Sequence, residues 1–525
     1  MLITPKSGLV RAANVLRDPG LPPADALWWQ DGVVRAAGTF SSVWNAAKSA
    51  APEVIELPDA LVTPGFVDGH THFGEWALAR ERVNLAGAAT RREALTRIAQ
   101  APVFGGWILG QGYDSNGWEG PPTRGALDAI HPRTPVALDS HDVHAMWLNS
   151  AALARCGIGR NTSDPEGGRI VRDAAGEPTG VLLELAVRLV QPHLPPVGAD
   201  HLLAAIRAAQ GEAHRLGVTG IQNVEGRDVR GAFERLAAEG ALRLRILAHL
   251  AMDELDEGLR AGARSGAGSE WLTTGGVKLF LDGALGSQTA WMLEPYEDSA
   301  SRGIVLLEEP VARDLLARAA AGGIAGTIHA IGDAAVRRAL DLLEALPRVG
   351  IPHRIEHLQL VHLADLPRAA RAGIVGSMQP AHLLTDIPLV ERHWGNRGRG
   401  AYAFRSLLDA GTRLVFGSDV PVETIDPRDG VLAALDRVGR DGAPAGGWRP
   451  EEQIRFPEVL RAYTSEPWAA AGRGGRGGTL APGSAADLVA WEVDAGAALA
   501  GSGAAFRAGR AVLTVAGGEV VWRDA

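Results

Sequence analysis

Thr63-Pro64-Gly65-Phe66-Val67-Asp68-Gly69-His70-Thr71-His72 decides how this sequence is read. An apolar run, Ala60-Leu61-Val62, breaks at Pro64-Gly65, resumes as Phe66-Val67 and ends in two histidines one residue apart. Successive side chains on a strand alternate faces, so His70 and His72 are expected on the same side. Two imidazoles leaving a strand end on one face supply half of a metal site. A lone His-x-His also arises by chance or as a surface pair, so the remaining ligands have to come from elsewhere in the chain.

Outward from that stretch, the middle of the chain alternates strand and helix. Leu202, Leu203, Ile206, Ala209, Ala213 and Leu216 form a helical stripe that stops at Gly217. Residues 218–223 read as the next strand, and 334–346 as another helix. Strand candidates are 61–67, 106–110, 136–140, 218–223, 244–250, 276–280, 323–329, 353–357, 373–379 and 413–419. Such alternation predicts parallel βαβ units and, at this length, a (β/α)8 TIM-like barrel. Ten candidates compete for eight positions, and nothing local says which two are extra.

The two chain ends look different. Residues 26–30, the turn Asp31-Gly32 and residues 33–38 read as a hairpin, as do 511–515, Gly517-Gly518 and 519–522. A small β-sandwich domain built from both termini is expected, with residues 1–62 and 466–525 flanking a barrel over 63–465 that carries insertions. The run Gly472 to Gly478 is expected to be a flexible link.

A parallel α/β barrel keeps its chemistry at the C-terminal ends of its strands. Those ends carry His70, His72, Lys278, His329, His357 and Asp419. Each has an ordinary reading: a satisfied polar group, a snorkelling lysine, a helix-capping aspartate. All six falling in register point to a metal constellation.

The order His-x-His, Lys, His, His, Asp on a barrel flanked by a β domain resembles the amidohydrolase superfamily of metal-dependent hydrolases. Val277 to Ser287, His329-Ala330-Ile331-Gly332-Asp333, Arg354-Ile355-Glu356-His357, Met378-Gln379-Pro380 and Phe416 to Pro421 resemble its amidohydrolase-3 branch, which includes N-substituted formamide deformylases. Asp142 to Ser150 and Pro178-Thr179-Gly180 are similar as well, and the likeness runs from about residue 8 to 522. After Tyr463-Thr464 the chain is less regular than the family's usual helix.

The resemblance implies that His70 and His72 bind one ion with Asp419. His329 and His357 would bind a second, with Lys278 bridging as a carbamate formed with carbon dioxide. An unmodified Lys278 would leave a single ion. Imidazole and carboxylate donors suit zinc, although manganese, iron and nickel also accept them. The implied reaction is hydrolysis of a non-peptide carbon–nitrogen bond, amide-type and including N-substituted formamides, through metal-bound hydroxide, with Asp419 as general base and then acid. Hydrolysis of a cyclic amide, amidine or ester uses the same chemistry. A non-catalytic scaffold should have lost ligands, and all six are present. Candidate substrate contacts are Asp142, His144, Trp147, Asp282 and Gln379, while Glu356 is expected to orient a neighbour, a role open to Asp282 and Gln379 as well. Trp76, Trp118 and Trp291 join Trp147 as candidate walls of an apolar pocket.

Composition excludes other classes. The 525 residues are 46% hydrophobic with a net charge of −9 and no cationic cluster, which argues against a nucleic-acid partner. No apolar run reaches the length of a membrane span, and the start Met1 to Lys6 lacks the pattern of a signal peptide. The single cysteine, Cys156, excludes an intramolecular disulfide and is expected to be a small buried residue. A cytoplasmic enzyme acting on a small molecule is expected, and a homo-oligomer is the common form of such proteins.

Overall fold

The computed structural model describes residues 7–17, 22–115, 118–140, 145–165 and 168–524. Eight parallel strands form one sheet in sequence order: β1 (Phe66–Thr71), β2 (Val218–Asn223), β3 (Arg245–Ala251), β4 (Leu272–Phe280), β5 (Gly326–Ala330), β6 (Arg354–His357), β7 (Val375–Met378) and β8 (Arg413–Phe416). The sheet closes on itself just past β8. Thr71 bridges Val420 in parallel register, Asp419 N–H donates to the His70 carbonyl at 2.8 Å, and His72 N–H donates to the Val420 carbonyl at 2.9 Å. The TIM-like barrel expected from sequence is therefore present.

Amphipathic helices cover it. Asp333–Glu344 follows β5 and buries Val336, Ala339, Leu340 and Leu343, while Glu309–Ala321 precedes β5 and buries Ala312, Leu316 and Ala319. These side chains join Val277, Leu279, Ile328, Ile355 and Phe416 in the largest hydrophobic cluster. Strands β1 and β6 are buried along their whole length, as strands covered on both faces must be.

Both termini enter a second, seven-stranded sheet. Its order is Glu519–Arg523, Arg510–Ala516, Leu488–Glu492, Glu53–Pro64, Ser7–Val15, Ala24–Gln30 and Val33–Gly38. The chain ends meet where Glu53–Pro64 runs antiparallel to Leu488–Glu492. Trp491 Nε1 donates to Thr63 Oγ1 at 2.9 Å and Trp29 Nε1 to the Gly518 carbonyl at 2.9 Å, so each half holds an indole of the other. Both expected hairpins form. Asp31 and Gly32 take φ of 53° and 76°, the left-handed pair a tight hairpin needs.

The candidate strand 61–67 is corrected by this arrangement. Residues through Pro64 belong to the terminal sheet, and the barrel strand begins at Phe66. Gly65 makes the transfer: a Cβ there would lie 2.2 Å from Thr219 Oγ1, so glycine leaves room for the Thr219 side chain. The Gly472–Gly478 run is tied down rather than free, since Arg473 Nη1 donates to the Glu270 carbonyl at 2.9 Å and Ala485 N–H to the Arg476 carbonyl at 2.8 Å.

Residues 74–206 form a separate compact unit. Its six-stranded sheet runs Gly168–Arg172, Pro178–Glu184, Ala145–Leu148, Val136–Ser140, Ile108–Tyr113 and Val83–Asn84. The two surplus candidates, 106–110 and 136–140, lie here. Cys156 is partly buried against this unit's second core, where burial raises its thiol to about 11. No helix among the described residues is long and apolar enough to cross a membrane.

Candidate metal centre

The centre begins with barrel closure. Because β1 and the chain after β8 are hydrogen-bonded neighbours, His70 and Asp419 are adjacent although far apart in sequence. Asp68 reinforces the junction by accepting from His70 N–H at 3.1 Å and Ser418 N–H at 2.9 Å. His70 Nε2 and His72 Nε2 lie 3.3 and 3.5 Å from Asp419 Oδ1. Two donors about 2.1 Å from a tetrahedral ion stand about 3.4 Å apart, so this spacing is that of two ligands sharing an ion. Asp419 has φ of 61° and His357 φ of 70°, left-handed values that side-chain-bearing residues adopt at a local cost and that cluster at functional sites.

A buried chain of charge orients the first histidine. His70 Nδ1 donates to Glu356 Oε2 at 2.5 Å, and Glu356 is held by Arg354. Arg354 also reaches Gln222, the Gly69 carbonyl at 2.7 Å and Ser377 Oγ at 2.7 Å. Burial opposes ionisation of Glu356, but Arg354 and His70 hold it well below the usual carboxylate range. With Nδ1 carrying its proton toward Glu356, His70 presents the Nε2 lone pair. Glu356 thus orients a neighbour, and the neighbour is His70.

The other members of the set sit around this pair. The His357 ring centroid is 5.1 Å from His70 and 4.4 Å from His329. Burial lowers His72 to about 4 and His329 to about 3, and pushes His357 well down too, so these imidazoles are neutral and have lone pairs to give. His329 Nε2 donates to the Gly283 carbonyl at 3.0 Å, which leaves Nδ1 unprotonated. Lys278 is buried on β4, its Nζ 4.8 Å from the Phe280 ring centroid and without a hydrogen-bond partner; burial lowers it to about 8.

The expected substrate contacts fare differently. Asp282 is buried, and its oxygens accept from the backbone N–H groups of Trp291 at 2.9 Å and of Ile331 and Gly332 at 3.1 and 2.8 Å. That ties the loops after β4 and β5 together beside His329, whose Nε2 is 3.6 Å away. Gln379 is buried after β7. Trp147 is fully buried in the core of the 74–206 unit with Tyr113 and Trp118, its Nε1 donating to the Thr123 carbonyl at 3.0 Å. Asp142 and His144 lie outside the described residues.

His382 is the residue that sequence reasoning missed. It lies four positions beyond the end of β7, past the Met378-Gln379-Pro380 motif, where a search confined to strand ends does not look. The turn Pro380–His382 carries its Nε2 to 3.7 Å from Asp419 Oδ2. Two groups among the described residues bring donor atoms within 4.8 Å of one another: His70, His72 and Asp419, and His357, His382 and Asp419. His70 Nε2, His357 Nδ1, His382 Nε2 and Lys278 Nζ are all buried with no hydrogen-bond partner. Imidazoles around a carboxylate, with ring nitrogens left unpaired, fit a divalent transition-metal ion.

Known proteins agree with that chemistry. The sequence profile of the amidohydrolase family (Amidohydro_3) matches residues 53–522. LONG AFTER FAR-RED 3 of Arabidopsis thaliana is 32% identical over 520 residues, spanning 93% of this chain and 88% of its own. The N-substituted formamide deformylase of Arthrobacter pascens is 28% identical over 502 residues, 90% of each chain. The crystal structure of an uncharacterized metal-dependent hydrolase from Pyrococcus horikoshii OT3 superposes with a TM-score of 0.80 at 26% identity, over 95% of this chain and 99% of that one. With its barrel closed between His70 and Asp419, this chain belongs to the amidohydrolase family and is a metal-dependent hydrolase of the amidohydrolase-3 branch.

Proposed function

We propose that the protein hydrolyses a non-peptide carbon–nitrogen bond of the amide type, with N-substituted formamides as the leading substrate class. The observation that carries this reading is the set formed by His70 Nε2, His72 Nε2 and Asp419 Oδ1 at 3.3 and 3.5 Å, a donor triangle of ion-holding size that includes a carboxylate able to move a proton. The formamide class comes from the Arthrobacter relative, which is alike over nine-tenths of both chains.

In this reading His70, His72 and Asp419 hold zinc, and His329 and His357 hold a second ion with Lys278. The neutral amine of Lys278 adds to carbon dioxide and loses a proton, giving a carbamate whose oxygens replace a nitrogen that could not ligate while protonated. When bound, zinc makes water acidic enough to attack near neutral pH and polarises the carbonyl under attack. Asp419 accepts the proton given up by the attacking water. It then delivers that proton to the departing nitrogen, so that a neutral amine leaves rather than an amide anion. Glu356 fixes His70 through Nδ1, and Arg354 fixes Glu356. The reading places the enzyme in the cytoplasm with a small-molecule substrate.

The test is a panel of N-substituted formamides, lactams, amidines and esters assayed with the zinc-loaded and chelator-stripped protein. Turnover of formamides that disappears with the metal and returns with added zinc is the expected result. Turnover confined to lactams or esters would overturn the substrate class, and full activity after complete stripping would overturn the metal reading.

A further inference from the structure

Asp419 presents its two oxygens to two different sets of imidazoles. Oδ1 faces His70 and His72, whereas Oδ2 faces His382 at 3.7 Å. That second separation is too long for a hydrogen bond and within a few tenths of an ångström of the roughly 3.4 Å between two ligands of one tetrahedral ion. His382 Nε2 and His357 Nδ1 are both buried and have no hydrogen-bond partner. The rings are 6.1 Å apart, and the donor atoms of His357, His382 and Asp419 fall within 4.8 Å of one another.

The local chain is built to hold His382 there. Pro380 sets the backbone as it leaves β7, and Pro380–His382 makes one tight turn before the helix Leu383–His393. One helical turn further on, Asp386 is buried and accepts from Gln359 Nε2 at 2.7 Å and Tyr402 Oη at 2.6 Å, adding a fixed carboxyl within electrostatic reach of His382. A buried imidazole nitrogen left unpaired costs about 1–3 kcal/mol, which makes an unused histidine at this position a poor filler.

We propose that His357, His382 and Asp419 hold a divalent transition-metal ion, so that His382 is a ligand of a cation subsite sharing Asp419 with the first. This rests on the reading of His70, His72 and Asp419 as ligands of the first ion. This is the same second ion that the proposed function gives to His329, His357 and Lys278, with His382 added to its ligands from beyond β7.

Equilibrium dialysis of the metal-free full-length chain against Co2+ alone, followed by visible spectroscopy, tests it. The wild type is expected to bind two ions. His382→Asn should weaken the second by at least about tenfold while the first is retained. His382→Cys, which keeps a ligating side chain, should restore the second ion and add a thiolate-to-cobalt charge-transfer band. The wild type, whose one cysteine is Cys156 of the 74–206 unit, should lack that band. Circular dichroism checks that each variant is folded. Two ions at wild-type affinity in His382→Asn, or no charge-transfer band in a doubly loaded His382→Cys, would overturn the subsite. A wild type holding one ion, abolished by His72→Asn, would overturn it as well and leave the first-site reading standing. A wild type binding no Co2+ would bring down both.

Discussion

Two adjacent layers inside the barrel treat buried polar groups in opposite ways. In the lower layer, Arg354 on β6 bonds to Glu356, Gln222, Ser377 and the Gly69 carbonyl. In the upper layer, His70 Nε2, Lys278 Nζ, His357 Nδ1 and His382 Nε2 have no such partners. The same strands build both: β6 carries Arg354, Glu356 and His357, and β1 carries Gly69 and His70. A satisfied network rigidifies a core, whereas unsatisfied donors weaken it unless something binds them. The difference separates groups the fold satisfies internally from groups it leaves unpaired in the candidate metal centre.

The largest break in that contrast is expected from Asp419→Asn. The amide keeps the shape but cannot accept and return the proton, so kcat should fall by about 10³-fold or more, with some metal retained. Steady-state kinetics combined with metal analysis check this, and near-wild-type turnover would remove Asp419 from its role. Glu356→Gln comes next and strikes the joint between layers. It leaves the Arg354 charge buried without its counter-charge, which should cost about 3–5 kcal/mol in chemical denaturation. It also loosens His70, so zinc affinity measured by chelator competition should drop about 10–100-fold. A variant with wild-type stability would show that the lower layer is not the support inferred here.

The smallest effect sharpens the upper layer. Burial lowers Lys278 from 10.5 to about 8, so between those values the unfolded chain holds more protons than the folded one. Stability of the metal-free protein should therefore rise with pH from about 8 to 10.5 and be lost as pH falls back from 10.5 to about 8, by about 3 kcal/mol in all. Urea denaturation in the presence of a chelator should show that slope in the wild type and not in Lys278→Met. An unchanged slope in the variant would assign it to other groups.

Much was determined by local sequence alone. Asp31-Gly32 and Gly517-Gly518 specify hairpins because those turns need left-handed backbone. The stripe from Leu202 to Leu216 specifies a helix, and alternating strand and helix specifies a barrel whose strand ends collect His70, His72, Lys278, His329, His357 and Asp419. Tertiary structure decided the rest, because strand pairing is a property of two segments and neither encodes its partner. Residues 106–110 and 136–140 have the apolar pattern of barrel strands, yet they pair with each other in a separate sheet. Asp282 reads equally as a substrate contact or as an orienting group until the folded loops bring three backbone amides to its oxygens. His382 becomes visible only when the turn after β7 carries it to Asp419, and Asp419 meets His70 only because the barrel closes there.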